Sequence, residues 1–163
     1  MINIIKFQFL HTFMSETKII PIEKKYEDEF TKTFNESYFD SEDEAKQHFK
    51  EHIGKNRLFL FFIGSELAGF FDYIYQYSHN ANYLYNLCIA IKFRGKGYSK
   101  YLLNKYVEIS KEQKTRNVIA LSSTHRTNVA SQKMHKSFGF EEIGTLKELH
   151  YGEDEIFYAY KLD

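Results

Sequence analysis

The 163-residue chain predicts an α/β fold, a mixed sheet of about seven strands with helices on both of its faces. Three observations carry that reading. Apolar periodicity runs in the order strand, two helices, three strands, helix, strand, helix and two strands, and helical and strand segments alternating in this way build layered α/β domains. Two β-rich runs flank Gly64-Ser65, a two-residue spacing that reads as a hairpin. An apolar strand ends in a glycine-bearing turn that opens onto a helix, and a further short strand follows a basic linker, as a parallel crossover requires.

Each element has its own signal. Lys18 to Ile22 reads as a short strand carrying the only proline, Pro21, near its end, where a missing N–H is tolerated. Tyr26 to Ser37 reads as a helix with Phe30, Thr33 and Phe34 on one side. Ser41 opens a second helix, with Glu44 three residues on completing a capping box, Phe49 and Ile53 at helical spacing and Gly54 stopping it. Arg57 to Ile63 and Glu66 to Tyr77 are the hairpin strands, and Ser78 to Asn82 is a polar turn into the strand Tyr83 to Ala90. Leu102, Leu103, Tyr106, Val107 and Ile109 line a helix ending near Gln113. Val118 to Leu121 is the next strand. Asn128 to Ser137 is the last helix, stopped by Gly139, and Glu141 to Leu149 and Ile156 to Leu162 close the sheet around a turn at Gly152 to Asp154.

Composition narrows the classes of function. Lys plus Arg and Asp plus Glu number 22 each, so no bulk field draws the chain to nucleic acid or to an anionic membrane. Sixteen Phe and thirteen Tyr, with no Trp, suit a packed sheet and an aromatic-walled pocket. A single cysteine excludes an intramolecular disulfide framework and fits a reducing, cytoplasmic compartment. Cys88 lies in the apolar strand and reads as a small buried residue. No apolar run reaches the length of a membrane span. Residues 1–13 are apolar but lack the cationic start and cleavage site of a signal peptide, and Met14 offers a second start, so they read as an N-terminal extension of uncertain status before one domain over 14–163. No internal repeat or low-complexity linker marks a second domain.

The chemistry concentrates in the run Leu87 to Lys100. A helix N-terminus presents four N–H groups without intrahelical partners and partial positive charge, which together favour phosphate. Gly95 and Gly97 let the backbone approach a ligand closely, while Arg94 and Lys96 add formal charge. The expected ligand carries a phosphate or pyrophosphate. A Walker loop is excluded because one residue, not four, separates the glycines, and a dinucleotide fingerprint is excluded because Lys100 stands where its third glycine belongs.

These residues resemble the GNAT superfamily, the Gcn5-related N-acetyltransferases. Its signature Arg/Gln-x-x-Gly-x-Gly/Ala after a bulged strand is matched by Arg94-Gly95-Lys96-Gly97-Tyr98-Ser99 at all but the last position, where Ser99 stands. A second signature, Asn with Gly-Phe eleven residues later, is met by Asn128, Gly139 and Phe140. The resemblance implies a mostly antiparallel GNAT-like sheet and acetyl-CoA as cosubstrate. Its pyrophosphate would lie on the backbone N–H groups of Gly95, Lys96, Gly97, Tyr98, Ser99 and Lys100. Its pantetheine arm would pair with the backbone of Leu87, Cys88 and Ile89, and Asn128 would contact that arm or only cap its helix.

His135 stands where many relatives carry a tyrosine that protonates the departing thiolate, and the spacing of Asn128, Ser131 and His135 is similar to that of some small-amine acetyltransferases. His135 is therefore the candidate general acid, against a purely structural histidine at the core edge. A base is less defined, since Ser122-Ser123-Thr124 occupies the place where some relatives carry a glutamate. Glu36, Asp72 and His125 are candidates, each with an ordinary hydrogen-bonding role as the alternative. Tyr83 and Tyr85 are candidate walls of the cleft. His48 and His52 share a helical face but read as a surface pair, with no third ligand evident and no metal expected.

The expected function is direct transfer of acetyl from acetyl-CoA to a primary amine, most economically of a small molecule, with the acceptor between Phe34 to Phe39 and the strands near His150 and Tyr151. Acetylation of a protein N-terminus or lysine, and a non-catalytic acyl-CoA sensor, are the alternatives. The expected partners are acetyl-CoA and the amine, with no nucleic acid and no membrane; a homodimer is compatible.

Overall fold

The computed structural model describes residues 16–35, 38–78, 80–113 and 118–162. The extension read over 1–13 and the candidate base Glu36 lie outside them. Strand β1 (Thr17–Pro21), helices α1 (Glu27–Phe34) and α2 (Glu42–His52), and strands β2 (Leu58–Ile63), β3 (Glu66–Ser78) and β4 (Ala81–Ile89) come first. Helix α3 (Ser99–Glu112), strand β5 (Ile119–His125), helix α4 (Val129–Phe138) and strands β6 (Glu141–His150) and β7 (Glu153–Lys161) follow. The strands form one sheet in the order β1-β2-β3-β4-β5-β7-β6, in which only β4 and β5 run parallel. This is the mixed, mostly antiparallel α/β architecture expected.

Burial splits the core into two layers. On one face Phe71, Tyr73 and Leu84 pack beneath Leu102, Leu103 and Tyr106 of α3, with Met134 and Phe138 of α4 alongside. On the other, Leu60, Phe70 and Cys88 pack beneath Phe30 and Phe34 of α1 and Phe49 of α2. The ring of Phe30 lies 5.1, 5.2 and 5.0 Å from those of Phe34, Phe49 and Phe70 in tilted or edge-on contact, the geometry aromatic quadrupoles favour. Burying each such side chain contributes about 1.5–3 kcal/mol, which is how short helices like α1 are held against the sheet.

Local chemistry sets the boundaries. Ser41 Oγ accepts the N–H of Glu44 at 3.1 Å, and the Glu44 carboxylate accepts the N–H of Asp40 at 2.9 Å, so the expected capping box starts α2 one residue displaced on its return bond. Ile63 pairs with Glu66 across Gly64-Ser65, with Gly64 at φ +60°, the two-residue turn that the sequence predicts.

Three expectations are corrected. The last turn is Tyr151-Gly152, both at positive φ (+50° and +81°), so β7 begins at Glu153 rather than Ile156. A primed turn follows the strand twist and needs only two residues, which extends the pairing on both sides. Asn82 sits inside β4 and is fully buried instead of lying in a polar turn, because its amide donates to Ser110 Oγ at 3.2 Å and Gln113 Oε1 at 2.6 Å. The first helix is shorter than Tyr26 to Ser37, with Lys24–Tyr26 forming a 3₁₀ turn that leads into Glu27.

Two irregularities position the site. Asp72 opposes Asn86 but Tyr73 opposes Leu84, so Tyr85 is an extra residue on β4, a β-bulge. Residues 84 and 86 would share a face in a regular strand; the bulge sends Leu84 under α3 and turns Asn86 toward Asp72. Beyond the bulge β4 and β5 part: their pairing runs only from Ala81 opposite Ile119 to Leu84 opposite Ser122. Among the described residues no helix is long and apolar enough to cross a membrane.

Candidate active site

The glycine turn lies where β4 gives way to α3. Gly95 and Gly97 adopt φ +74° and +80°, the left-handed region where a side chain is strained, and the space beside both is open. Arg94 folds back, its Nε donating to Ile89 O at 2.8 Å, and Lys96 Nζ donates to Lys92 O at 3.2 Å. No side chain caps α3 at Tyr98, and in its first turn the N–H of Lys100 donates to Gly97 O at 3.2 Å and that of Tyr101 to Tyr98 O at 3.0 Å. Beside Gly97 and Lys100 a hollow of about 750 Å³ runs along α3 past Asn104 and Lys105. The turn therefore offers backbone donors, a helix dipole and cationic side chains at one place, which suits a polyphosphate.

Where β4 and β5 diverge, a cleft of about 620 Å³ opens between them and reaches both faces of the sheet. Leu87 lines it, and Leu87, Cys88 and Ile89 pair with Phe71, Phe70 and Gly69 on their other side, so the edge turned to the cleft is backbone that β5 does not pair, with Ile89 O taken by Arg94. Gly69 is obligatory there, since a Cβ would lie 2.7 Å from Cys88 O. The Cys88 side chain points into the α1/α2 layer, where burial pushes its thiol up to about 11 against the opposing pull of Arg94, so it is an inert core thiol.

The α4 end of the cleft carries Asn128, Ser131 and His135. Asn128 is the N-cap, its Oδ1 accepting the N–H of Ser131 at 3.1 Å. His135 is only 2% exposed, stacked on Tyr158 with ring centroids 4.9 Å apart. Its Nδ1 lies 2.8 Å from Ser131 O, which can only accept, so Nδ1 carries the hydrogen and Nε2 of the neutral ring accepts from Ser122 Oγ, also at 2.8 Å. Burial holds its pKa below the ordinary histidine value, with the Ser131 carbonyl partly opposing. As a neutral ring it has no Nε2 proton to give, so acid catalysis through it first requires its protonation.

The opposite end is walled by two polar networks. Tyr83 OH and Ser123 Oγ are 2.6 Å apart, and Ser123 donates to Glu155, which is buried on β7. His125 reaches Glu153 through Nδ1 at 3.2 Å, while its Nε2 lies 3.7 Å from the second Glu155 oxygen. Tyr85 projects from the bulge, 59% exposed. Across the cleft Asp72 is 1% exposed and its Oδ2 receives His48 Nε2 and the amide of Asn86, each at 2.8 Å. Tyr38 donates to Asn86 Oδ1, and burial together with the Asp72 charge raises its pKa.

The pairing of His48 with Asp72 corrects the reading of His48 and His52 as a surface pair. One ligand atom each of His48, His52 and Asp72 lies within 4.8 Å of the others, so a third group of metal-binding type is present after all. His48 and Asp72 nevertheless sit at hydrogen-bond distance, whereas tetrahedral ligands about 2.0–2.1 Å from a zinc ion stand about 3.4 Å apart. The pair is closed as a hydrogen bond rather than spread around an ion.

A family model described as the acetyltransferase (GNAT) family matches residues 20–140, most of the chain. The chain belongs to the GNAT family. Solved structures similar to this GNAT chain include a GNAT-family acetyltransferase of Bacillus cereus (18% identity, TM-score 0.75, 90% of this chain and 97% of that one). Others are spermidine N-acetyltransferase of Vibrio cholerae with CoA and spermine (20%, 0.75, 91% and 96%) and the ribosomal-protein-S18-alanine N-acetyltransferase of Escherichia coli (16%, 0.72, 91% and 95%). At these identities the structures show a shared fold. No curated protein matches the chain by sequence.

Within this GNAT fold, the cleft brings together Leu87, Asn128 and His135 from the sequence reading, while the turn from Arg94 to Lys100 stands at the start of α3. The expected acceptor walls are present in part: Phe39 and Tyr151 line the cleft, but Phe34 is wholly buried in the α1/α2 layer. Ser122, Asn86, Tyr38 and Glu155 are the polar groups that sequence reasoning left out. For Asn86 the missing signal was the bulge, because a regular strand would have turned it to the other face.

Proposed function

We propose that the chain transfers acetyl from acetyl-CoA directly to the primary amine of a small cationic molecule. The observation that carries the donor is the uncapped start of α3 behind two glycines at positive φ, set beside a strand edge left open by the parting of β4 and β5. The Gly95 to Lys100 turn would hold the pyrophosphate, the hollow along α3 the nucleotide, and the edge of Leu87 to Ile89 the pantetheine arm. Acetyl-CoA supplies an acyl group already activated as a thioester. Asn128 would offer its Nδ2 amide to the arm while Oδ1 caps α4. Once protonated at Nε2, His135 would return a proton toward the thiolate through the Ser122 hydroxyl.

The acceptor class follows from charge. Asp40, Glu44 and Glu155 line the cleft together with the rings of Tyr83 and Tyr85, and among the described residues no lysine or arginine does. Carboxylates and aromatic faces both attract organic cations. The Vibrio cholerae relative, solved with spermine, is consistent with a polyamine-like acceptor. The test is calorimetry with acetyl-CoA followed by CoA-thiol release over a panel of diamines, polyamines, amino acids and N-terminal peptides. Binding with turnover on a cationic amine is expected, and Gly97→Asp should weaken acetyl-CoA binding at least about tenfold by placing a carboxylate where phosphate sits. Failure of acetyl-CoA to bind overturns the donor assignment; turnover confined to peptides overturns the small-molecule one.

A further inference from the structure

We infer that His48, oriented by Asp72, is the group that takes the proton from the acceptor amine. The inference rests on the acyl-transfer reading of the cleft. A protonated amine has no lone pair for the acyl carbon, so a base must receive its proton before or during attack. The groups that β5 offers to the cleft are Ser122, Ser123, Thr124 and His125, the last engaged by Glu153, and Glu155 of β7 is engaged by Ser123 Oγ. His48 reaches the cleft from the opposite wall.

The geometry is that of an oriented imidazole. Asp72 Oδ2 accepts from His48 Nε2 at 2.8 Å, which fixes the ring as the Nε2–H tautomer and leaves the lone pair on Nδ1. Asn86 donates to the same oxygen at 2.8 Å and Tyr38 to Asn86, so the carboxylate is itself held. The ring lies parallel to Phe30, 13° between planes, with the ring of Phe39, which lines the cleft, 5.0 Å away. The Asp72 side chain is 1% exposed and that of His48 14%, so the carboxylate stays behind while the imidazole meets the cleft. A buried carboxylate so placed sets the tautomer and stabilises the imidazolium without taking the proton. The other charged or titratable groups near it are Asp40 and Glu44, which line the same cleft, and His52, whose ring is 4.5 Å away. Asp72, Asn86 and Tyr38 are positioning residues.

The step balances. The ammonium gives one proton to His48 Nδ1, its freed lone pair forms the N–C bond to the acyl carbon, the C–S bond breaks with its electron pair leaving on sulfur, and the second proton, left on the acylated nitrogen, is lost to the thiolate or solvent as the amide forms. The proton on His48 then passes to solvent or to the released thiolate.

His48→Gln keeps an N–H donor for Asp72 and removes the base. It should lower kcat about 100-fold at neutral pH with the KM for acetyl-CoA unchanged, a deficit of the size general-base loss produces. The deficit should shrink as pH rises and the free amine appears in solution. His48→Ala should recover activity when imidazole is added, a rescue that loss of a structural contact does not give. If the wild type turns over and His48→Gln keeps its kcat within about twofold across pH, the base role is overturned while acyl transfer stands. A wild type that releases no thiol on any amine removes the acyl-transfer reading and this inference with it. Transfer lost to a chelator, restored by Zn²⁺ and abolished by His52→Ala would assign the cluster to a metal and overturn the base role.

Discussion

His135 shows how much a single residue's meaning depends on its surroundings. At the sequence level it is a histidine in a position where tyrosine serves as acid. In the fold it is a buried ring with Nδ1 given to Ser131 O and Nε2 receiving Ser122. Burial lowers its folded pKa below the unfolded value, so between those two values the unfolded chain binds the extra proton. Stability is therefore full above the unfolded value near pH 6.5, and falls as pH drops toward the folded one, by about 1.4 kcal/mol for each pH unit separating them. Melting curves of the wild type and His135→Gln should converge as the pH falls through this window, because the variant lacks the titrating ring. Curves that stay parallel from pH 7.5 to 5 would mean that His135 titrates alike in the folded and unfolded chain, and curves that diverge as pH falls would mean that the folded protein holds it charged, as an acid catalyst would need.

At the scale of elements, one side chain of α4 caps the helix and is also proposed to touch the cofactor. Asn128 Oδ1 caps the helix, and Gly139 ends it at φ +110° with its N–H shared between His135 O and Lys136 O. Capping and cofactor contact separate in Asn128→Ser. Serine still caps, so the melting temperature should stay within about 2 °C, whereas Asn128→Ala should lose about 1 kcal/mol, or 2–4 °C. If the amide also contacts the pantetheine arm, Asn128→Ser should raise the KM for acetyl-CoA severalfold despite intact stability; an unchanged KM confines Asn128 to the cap.

The same elements show what a sequence can carry. The hairpin at Gly64-Ser65, the Ser41 cap and the glycine turn before α3 were legible because each is decided by residues a few positions apart. Asn82 and His48 were not, because their states depend on partners 24 to 31 positions away: Ser110 and Gln113 for Asn82, and Asp72 for His48. A bulge leaves no composition signal, yet this one aims Asn86 at Asp72 and so builds one wall of the site.

For the whole molecule, the decisive feature is a sheet that is continuous at one end and divided at the other. β5 remains paired with β7 out to His125, and β4 with β3 out to Ile89, but four residue pairs join β4 to β5. The two parts of the sheet, β1 to β4 and β5 to β7, are thus joined across a short parallel seam. A ligand that pairs with the open edge of β4 and rests its phosphates on α3 would bind the folded protein alone. Such a ligand stabilises by about 2.7 kcal/mol at one hundred times its Kd, a rise of roughly 5–10 °C for a chain of this size. Acetyl-CoA and CoA should both produce that rise, and amide exchange should slow over Leu87 to Ile89 and Gly95 to Lys100 more than over β1 or β6. A rise without local protection at those residues would place the ligand elsewhere, and no rise at saturating acetyl-CoA would mean that the divided sheet is not its site.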